Sequence, residues 1–246
     1  MIAPAPDPRR LAATRWSWEV LAGHVLAEER WRRTGRIGLE PRPVGLGTPQ
    51  VDADGVELLG ERLILHRGGV SEAVTVTTLA EARRFVLGDT SAPTWGRDLE
   101  VHDPPASVPP DSRLSIDPEA GAWLGRWFEL GDEVRRALAA DDASVEASSP
   151  TWWPEHLDIA IEVLPDDRRA SYGLSPGDDG VAEPYAYVSV WYPDRIGGLD
   201  DPRWDASSFP GALVTARELA DRDAPGDELL GWFRIRRDLL AAASGT

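Results

Sequence analysis

The sequence predicts an α+β protein in which an antiparallel β-sheet is covered by three main helices. Several short segments alternate apolar and polar residues with period two, while three longer ones carry apolar residues at helical spacing. The strand-like segments follow one another across short Gly- and Asp-containing turns, which pairs neighbours antiparallel. The chain has 246 residues, 42% apolar and 28% charged, and can bury a large core.

Residues 1–10 hold three prolines and no periodicity, so residues 1–16 read as a flexible tail. The first helix is expected over 17–33, where Trp18, Leu21, Ala22 and Val25 recur at helical spacing. Ser17 stands at its start and Gly35 where a left-handed stop belongs. His24 and Glu28 share one face of it, with Trp31 close by. Residues 36–46 read as an edge strand or a covering loop. Residues 56–59, 62–66 and 70–77 then form a small antiparallel meander. Asp54-Gly55 is a turn, and Asp52 to Gly55 lacks the later ligands of a calcium loop. Thr78 caps a short helix with Leu79, Ala82, Arg83 and Val86 on its packed face and Gly88 as its stop. Residues 90–111 are too proline-rich for regular structure. Residues 17–243 therefore read as a single domain in two halves, 17–92 and 112–243, joined by a proline-rich segment that contains His102.

Asp117-Pro118-Glu119 opens a long helix whose buried stripe is Ala120, Trp123, Leu124, Trp127, Phe128, Val134 and Leu138. Gly121, Gly125 and Gly131 each weaken it by roughly 1 kcal/mol relative to alanine, which close packing would explain. Residues 141–150 form an acidic linker with nothing to bury. Over 156–164, His156, Asp158, Ala160 and Glu162 point one way and Leu157, Ile159, Ile161 and Val163 the other, a half-buried strand. A turn at 165–168 returns the chain through 169–173. Residues 183–191 repeat the alternation with Glu183, Tyr185, Tyr187, Ser189 and Trp191 on one face. Residues 192–210 form a loop in which Asp200, Asp201, Trp204 and Asp205 are exposed or cap a pocket mouth. Residues 211–216 read as a strand, and Thr215 caps a short helix. Pro225 opens the last helix, with Leu229, Trp232, Phe233, Leu239 and Leu240 inward and Arg234, Arg236 and Arg237 outward.

If the strands of 156–164 and 183–191 share a sheet with both apolar faces buried, their polar faces coincide. His156, Asp158, Glu183, Tyr185 and Tyr187 then gather as ligand-binding candidates, with Trp153 as an aromatic wall and Asp178 on the loop 172–180. Asp178 and Asp179 would repel a phosphate and suit a cation or amine, although the same residues also make an ordinary exposed turn. His24, Glu28, His156, Asp158 and Glu183 are the metal candidates, their nitrogen and oxygen donors suiting a divalent metal. Period alone does not choose between such a site and a sheet whose outer face is wet. The string Gly173-Leu174-Ser175-Pro176-Gly177 matches a nucleophile elbow literally, but Pro176 removes the backbone donor that an oxyanion would need.

Forty-two acidic against 26 basic side chains give a net charge of −16, which repels phosphate backbones and anionic headgroups. Nucleic acid and membrane are thus not expected as partners. The absence of cysteine excludes disulfides, thiolate catalysis and Cys-ligated metals. No run of about 18 apolar residues is present to span a bilayer, and MIAPAPDPRR lacks the core of a signal peptide, so a cytoplasmic location is expected. There is no dinucleotide fingerprint, phosphate loop or His-Glu-x-x-His. The segments TWWPEHLDIAI and GLSPGDDGVAEPYAYVSVW resemble a family of uncharacterised bacterial proteins, a domain of unknown function. In that family a Trp-Pro-x-His-x-Asp strand precedes a Ser-Pro-Gly-Asp loop and a Glu-Pro-Tyr strand; the first helix with TGRIGL resembles it more weakly. The resemblance implies the boundaries of the central unit and no activity. The expected function is a binding or accessory domain for a small polar ligand; the alternative is a metal-dependent hydrolase using the His/carboxylate cluster. Whether the protein is an enzyme, its strand order and its oligomeric state stay open.

Overall fold

The computed structural model describes residues 3–99, 105–149 and 151–243; His102, Pro104 and Pro150 lie outside them. The class is α+β, with two five-stranded antiparallel sheets where one was expected. The first sheet runs in chain order: β1 (Glu40–Arg42), β2 (Gly45–Gly47), β3 (Gly55–Leu59), β4 (Arg62–Arg67) and β5 (Val70–Thr75). The second has the order β10-β9-β8-β7-β6, from β6 (Thr151–Trp153) through β7 (Asp158–Val163), β8 (Ala170–Ser175) and β9 (Tyr185–Val190) to β10 (Gly211–Thr215). Strand alternation is the same in one sheet or two, which is why periodicity did not separate them.

The chain divides into two compact units. The N-terminal unit comprises Ala5–Glu129 and Trp152–Asp158; the C-terminal unit contains Leu130–Thr151 and the chain from Ile159 onward. The division falls within a helix. The described part of the proline-rich segment lies inside the N-terminal unit, where Pro110 and Ser112 carbonyls accept the Ala80 and Leu79 amides at 2.7 and 3.2 Å.

In the N-terminal unit, helix α1 spans Pro8–Leu21, so residues 8–16 are not a tail. The cause is legible: the Asp7 carboxylate accepts the Arg9 and Arg10 amides and Pro8 takes the first turn, the same signal that opens residues 117–119. Ser17 is consequently mid-helix, its hydroxyl bonded to the Ala13 and Ser115 carbonyls. Every residue from 20 to 29 is buried, which makes this the central helix of the unit. A π turn, Ala22–Leu26, interrupts it before α2 (Ala27–Thr34), which ends on left-handed Gly35 at φ 68°. Helix α3 (Leu79–Leu87) has the expected Thr78 cap and Gly88 stop. A short α4 (Trp95–Asp98) lies where proline content argued against any helix.

Helix α5 (Pro118–Ala139) contributes residues to both units. In the N-terminal unit a Cβ on Gly125 would stand 2.5 Å from Cα of Val44, and Trp152 packs on Phe128 with ring centroids 4.2 Å apart. In the C-terminal unit, Arg135 is fully buried and donates to the Thr151 and Ala160 carbonyls and to Asp132.

Helix α6 is Ala216–Ala220 and α7 is Pro225–Ala242, the latter burying Leu229, Phe233 and Leu240. Arg236 and Arg237 are buried as well, not solvated. Arg236 lies 3.7 Å over the Trp232 ring, and burial lowers its pKa to about 10. Arg234 and Arg237 both bind Asp141, at 2.7–2.8 Å. The acidic segment after α5 is thus a fastening for α7 rather than a linker. Among the described residues no helix is long and apolar enough to cross a membrane.

Gly125→Ala should lower stability by about 1–3 kcal/mol through overpacking on Val44, although alanine is the better helix former by roughly 1 kcal/mol. Urea denaturation decides the sign. The hydrogen bond from Arg234, helped by Arg237, holds the Asp141 pKa at about 2 against an ordinary 3.8, so its contribution is present above about pH 4 and lost as pH falls toward 2. Asp141→Asn should remove roughly 2 kcal/mol at neutral pH and flatten that stretch of the acid-stability curve.

Candidate functional site

In the C-terminal unit, Tyr185 opens β9 and its hydroxyl donates to Oδ2 of Asp178. Oδ1 of Asp178 accepts the Gly180 and Val181 amides at 2.7 and 2.8 Å. Both oxygens therefore serve to close the loop. Tyr187 has its ring 6.0 Å from Tyr185 and lies across Gly173, where a Cβ would come within 2.6 Å of the phenol. Glu183 sits in a bend before β9 and pairs with Arg217 at 3.1 Å, also accepting its amide. Asp178, Tyr185 and Tyr187 come together as bracing. Ser175 ends β8 and accepts the Gly177 amide, with no helix following it.

In the N-terminal unit, Trp153 is 37% exposed and His156 lies in an exposed turn ahead of β7. The half-buried strand from His156 is not realised. Leu157 adopts φ 49°, so extended alternation begins only at Asp158, and β7 is buried on both faces except at Glu162. Among the described residues no group of three or more His, Asp or Glu side chains is arranged to hold a metal ion. His24 and Glu28 have other commitments: His24 Nε2 lies 3.0 Å from the Ala106 carbonyl, and Glu28 binds Arg32 at 2.7 Å and the Thr94 amide at 2.8 Å.

Those commitments define a different site. The π turn shifts the helical ladder, the Ala27 amide reaching back to Ala22. Two carbonyls of the turn accept from side chains outside it: Gly23 from Trp95 Nε1 at 2.7 Å, and His24 from the Arg83 guanidinium. The helix thereby meets α3 and α4 around a cavity of about 440 Å3, lined among others by His24, Arg83, Thr90, Ser91, Arg97 and Val108. His24 also lines a smaller hollow of about 170 Å3 with Trp16, Glu19 and Pro154. One wall of the larger cavity is held at both ends by carboxylates. Asp89 accepts the Ser91 amide at 2.9 Å, and Glu28, fully buried, accepts that of Thr94. Arg32 bridges the two acids at 2.7 and 2.6 Å, and its hydrogen bond is the main reason that the Asp89 pKa falls to about 2.

A carbonyl only accepts, so the hydrogen shared with Ala106 must sit on His24 Nε2, leaving Nδ1 a lone pair. Burial is the main cause that lowers the His24 pKa, and the Arg83 charge adds to it; the Ala106 bond and Glu28 act the other way. The imidazole is neutral at pH 7. Arg83 itself is 1% exposed and contacts Asp89 at 3.5 Å.

In the C-terminal unit Asp200, Asp201 and Trp204 do line an open hollow of about 470 Å3, but Asp201 is forked by Arg203 at 2.8 and 2.6 Å. The sequence pointed to His24 and to the packed face of Arg83, but for a metal and for a helix surface. Trp95 was missed; a tryptophan among prolines, in Pro93-Thr94-Trp95-Gly96, was the available signal. No family model matches the chain, and neither a curated protein nor a solved structure matches it.

Trp95→Phe keeps the apolar packing and removes the donor to Gly23, and should speed amide exchange at Ala27 by about tenfold, a loss of about 1–1.5 kcal/mol. His24 should lower stability as pH falls below about 6.5, because the unfolded chain takes up a proton that the folded imidazole resists down to its depressed pKa. Proton titration of its ring resonances and denaturation at pH 7.5 and 5.5 check this.

Proposed function

We propose that this chain is a cytoplasmic binding domain for a small polar ligand, seated in the cavity between the π turn, α3 and residues 90–97. What carries the reading is that the wall is fixed in advance: Asp89 and Glu28 hold the Ser91 and Thr94 amides. A rigid, concave wall with few polar groups lowers the ordering cost of binding. The volume of about 440 Å3 suits a small molecule. A net charge of −16 argues against nucleic acid and anionic membrane as partners, and a cysteine-free chain suits a reducing compartment.

Ligand-observed NMR with a library of small polar fragments tests the reading. Ser91 is exposed at the rim, so Ser91→Trp can fill the mouth without disturbing the core. Fragments that bind the wild type should lose at least tenfold in affinity for Ser91→Trp while its circular dichroism stays unchanged. Fragments that bind both proteins equally, or no binder at all, would remove the cavity as the site.

A further inference from the structure

Resting on that reading, we propose that the cavity selects an uncharged ligand with an apolar body and one hydroxyl or N–H head, which donates to Nδ1 of His24. The acceptor is set by the Ala106 carbonyl, which fixes the proton on Nε2. Among the described residues Nδ1 has no hydrogen-bond partner, although the side chain is 5% exposed and lines the cavity. An acceptor there, on a side chain only 5% exposed, is left to water or to a ligand that donates.

Charge excludes the other classes. A cationic head would face Arg83 and Arg97, and the described lining residues include no carboxylate. An anionic head would meet the Nδ1 lone pair and guanidiniums that carboxylates already pair. Arg83 gives its terminal nitrogens to the His24 carbonyl and Asp89, its buried Nε alone lacking a partner, and Arg97 pairs with Asp98 at 3.0 Å. The apolar body follows from Leu79, Pro93, Pro105, Val108, Pro109 and Pro110, four of which are prolines that offer no N–H. The charged groups around the imidazole are Arg83 on α3, Glu28 on α2, and Glu19 and Glu155 beside the smaller hollow. Protonation of His24 would turn its acceptor into a donor, so binding should weaken as pH falls through the titration of His24.

Phenol and anisole form the test pair, since they share an apolar body and differ in the donor; benzoate and benzylamine supply the charges. With the full 15N-labelled chain, phenol should bind about tenfold tighter than anisole and more tightly than either charged probe. It should also move the His24 Nδ1 resonance, and the preference should vanish in His24→Phe but persist in part in His24→Gln, which keeps an acceptor oxygen. If the phenylalanine variant fails to fold, the wild-type comparison still decides. Equal binding of phenol and anisole, preference for a charged probe, or phenol binding without a shift at His24 would each overturn the inference and leave the cavity itself standing. Absence of binding by all four probes also overturns it, while the fragment library and Ser91→Trp judge the cavity separately.

Discussion

The N-terminal unit depends on two side-chain donors that serve the backbone of its central helix. A π turn displaces carbonyls from the helical ladder, and the turn here is buried on every side, where an unmet carbonyl costs about 1–3 kcal/mol. Trp95 and Arg83 meet the Gly23 and His24 carbonyls, and in doing so they draw α4 and α3 onto the same helix. Trp95 also fills the cluster of Ala27, Ile37 and Trp31. The irregularity, the packing around it and the cavity beside it are thus one arrangement. His24 reaches the cavity wall because the turn carries it, and its tautomer is set by the chain that packs over it.

Arginine does this kind of work throughout the molecule. All 26 basic side chains are arginines. Arg83, Arg135, Arg236 and Arg237 are each buried to 5% exposure or less. Three of them donate to backbone carbonyls: Arg83 to His24, Arg135 to Thr151 and Ala160, and Arg236 to Trp232 and Arg203. The guanidinium suits this role because its planar fork can bond a carbonyl and a carboxylate at once while its charge stays weakly hydrated. Asp89, Asp132 and Asp141 supply the carboxylates. These carboxylates are therefore structural.

What the sequence made legible was local. The β3–β5 meander, the caps at Thr78 and Thr215, the Gly35 and Gly88 stops and the Pro118 and Pro225 starts depend on a few adjacent residues, and they appear close to where those residues put them. The start of α1 at Asp7-Pro8 was a local signal too, but most of the other misreadings share one physical origin: tertiary contacts outweighed the local pattern. Nothing in residues 22–26 encodes a π turn unless Trp95 and Arg83 are known to lie beside them. Leu157 reverses the chain with a left-handed residue that apolar alternation treats as one more inward position. Arg236 and Arg237 look solvated until Trp232 and Asp141 are placed against them. The candidate residues Asp178, Tyr185 and Tyr187 do meet, but the Tyr185 hydroxyl and Asp178 satisfy each other while the Tyr187 ring packs beside them, which residue type cannot reveal.

The proline-rich segment, irregular over its described residues apart from α4, shows how a local reading that holds over part of its length can carry the wrong role. Among its described residues, 105–111 form neither helix nor strand, as proline predicts. A segment that cannot donate hydrogen bonds to itself nevertheless keeps its carbonyls, and these are free to accept from elsewhere. Pro110 and Ser112, which follows the segment, take the first amides of α3, which a helix N-terminus leaves unmet, and Ala106 takes the imidazole proton of His24. The segment thus does two things at this site: its prolines line the cavity with apolar surface and no N–H, and its Ala106 presents the acceptor that decides which nitrogen of His24 keeps a lone pair. The chemistry of the cavity is set as much by what this segment lacks as by the side chains that face it.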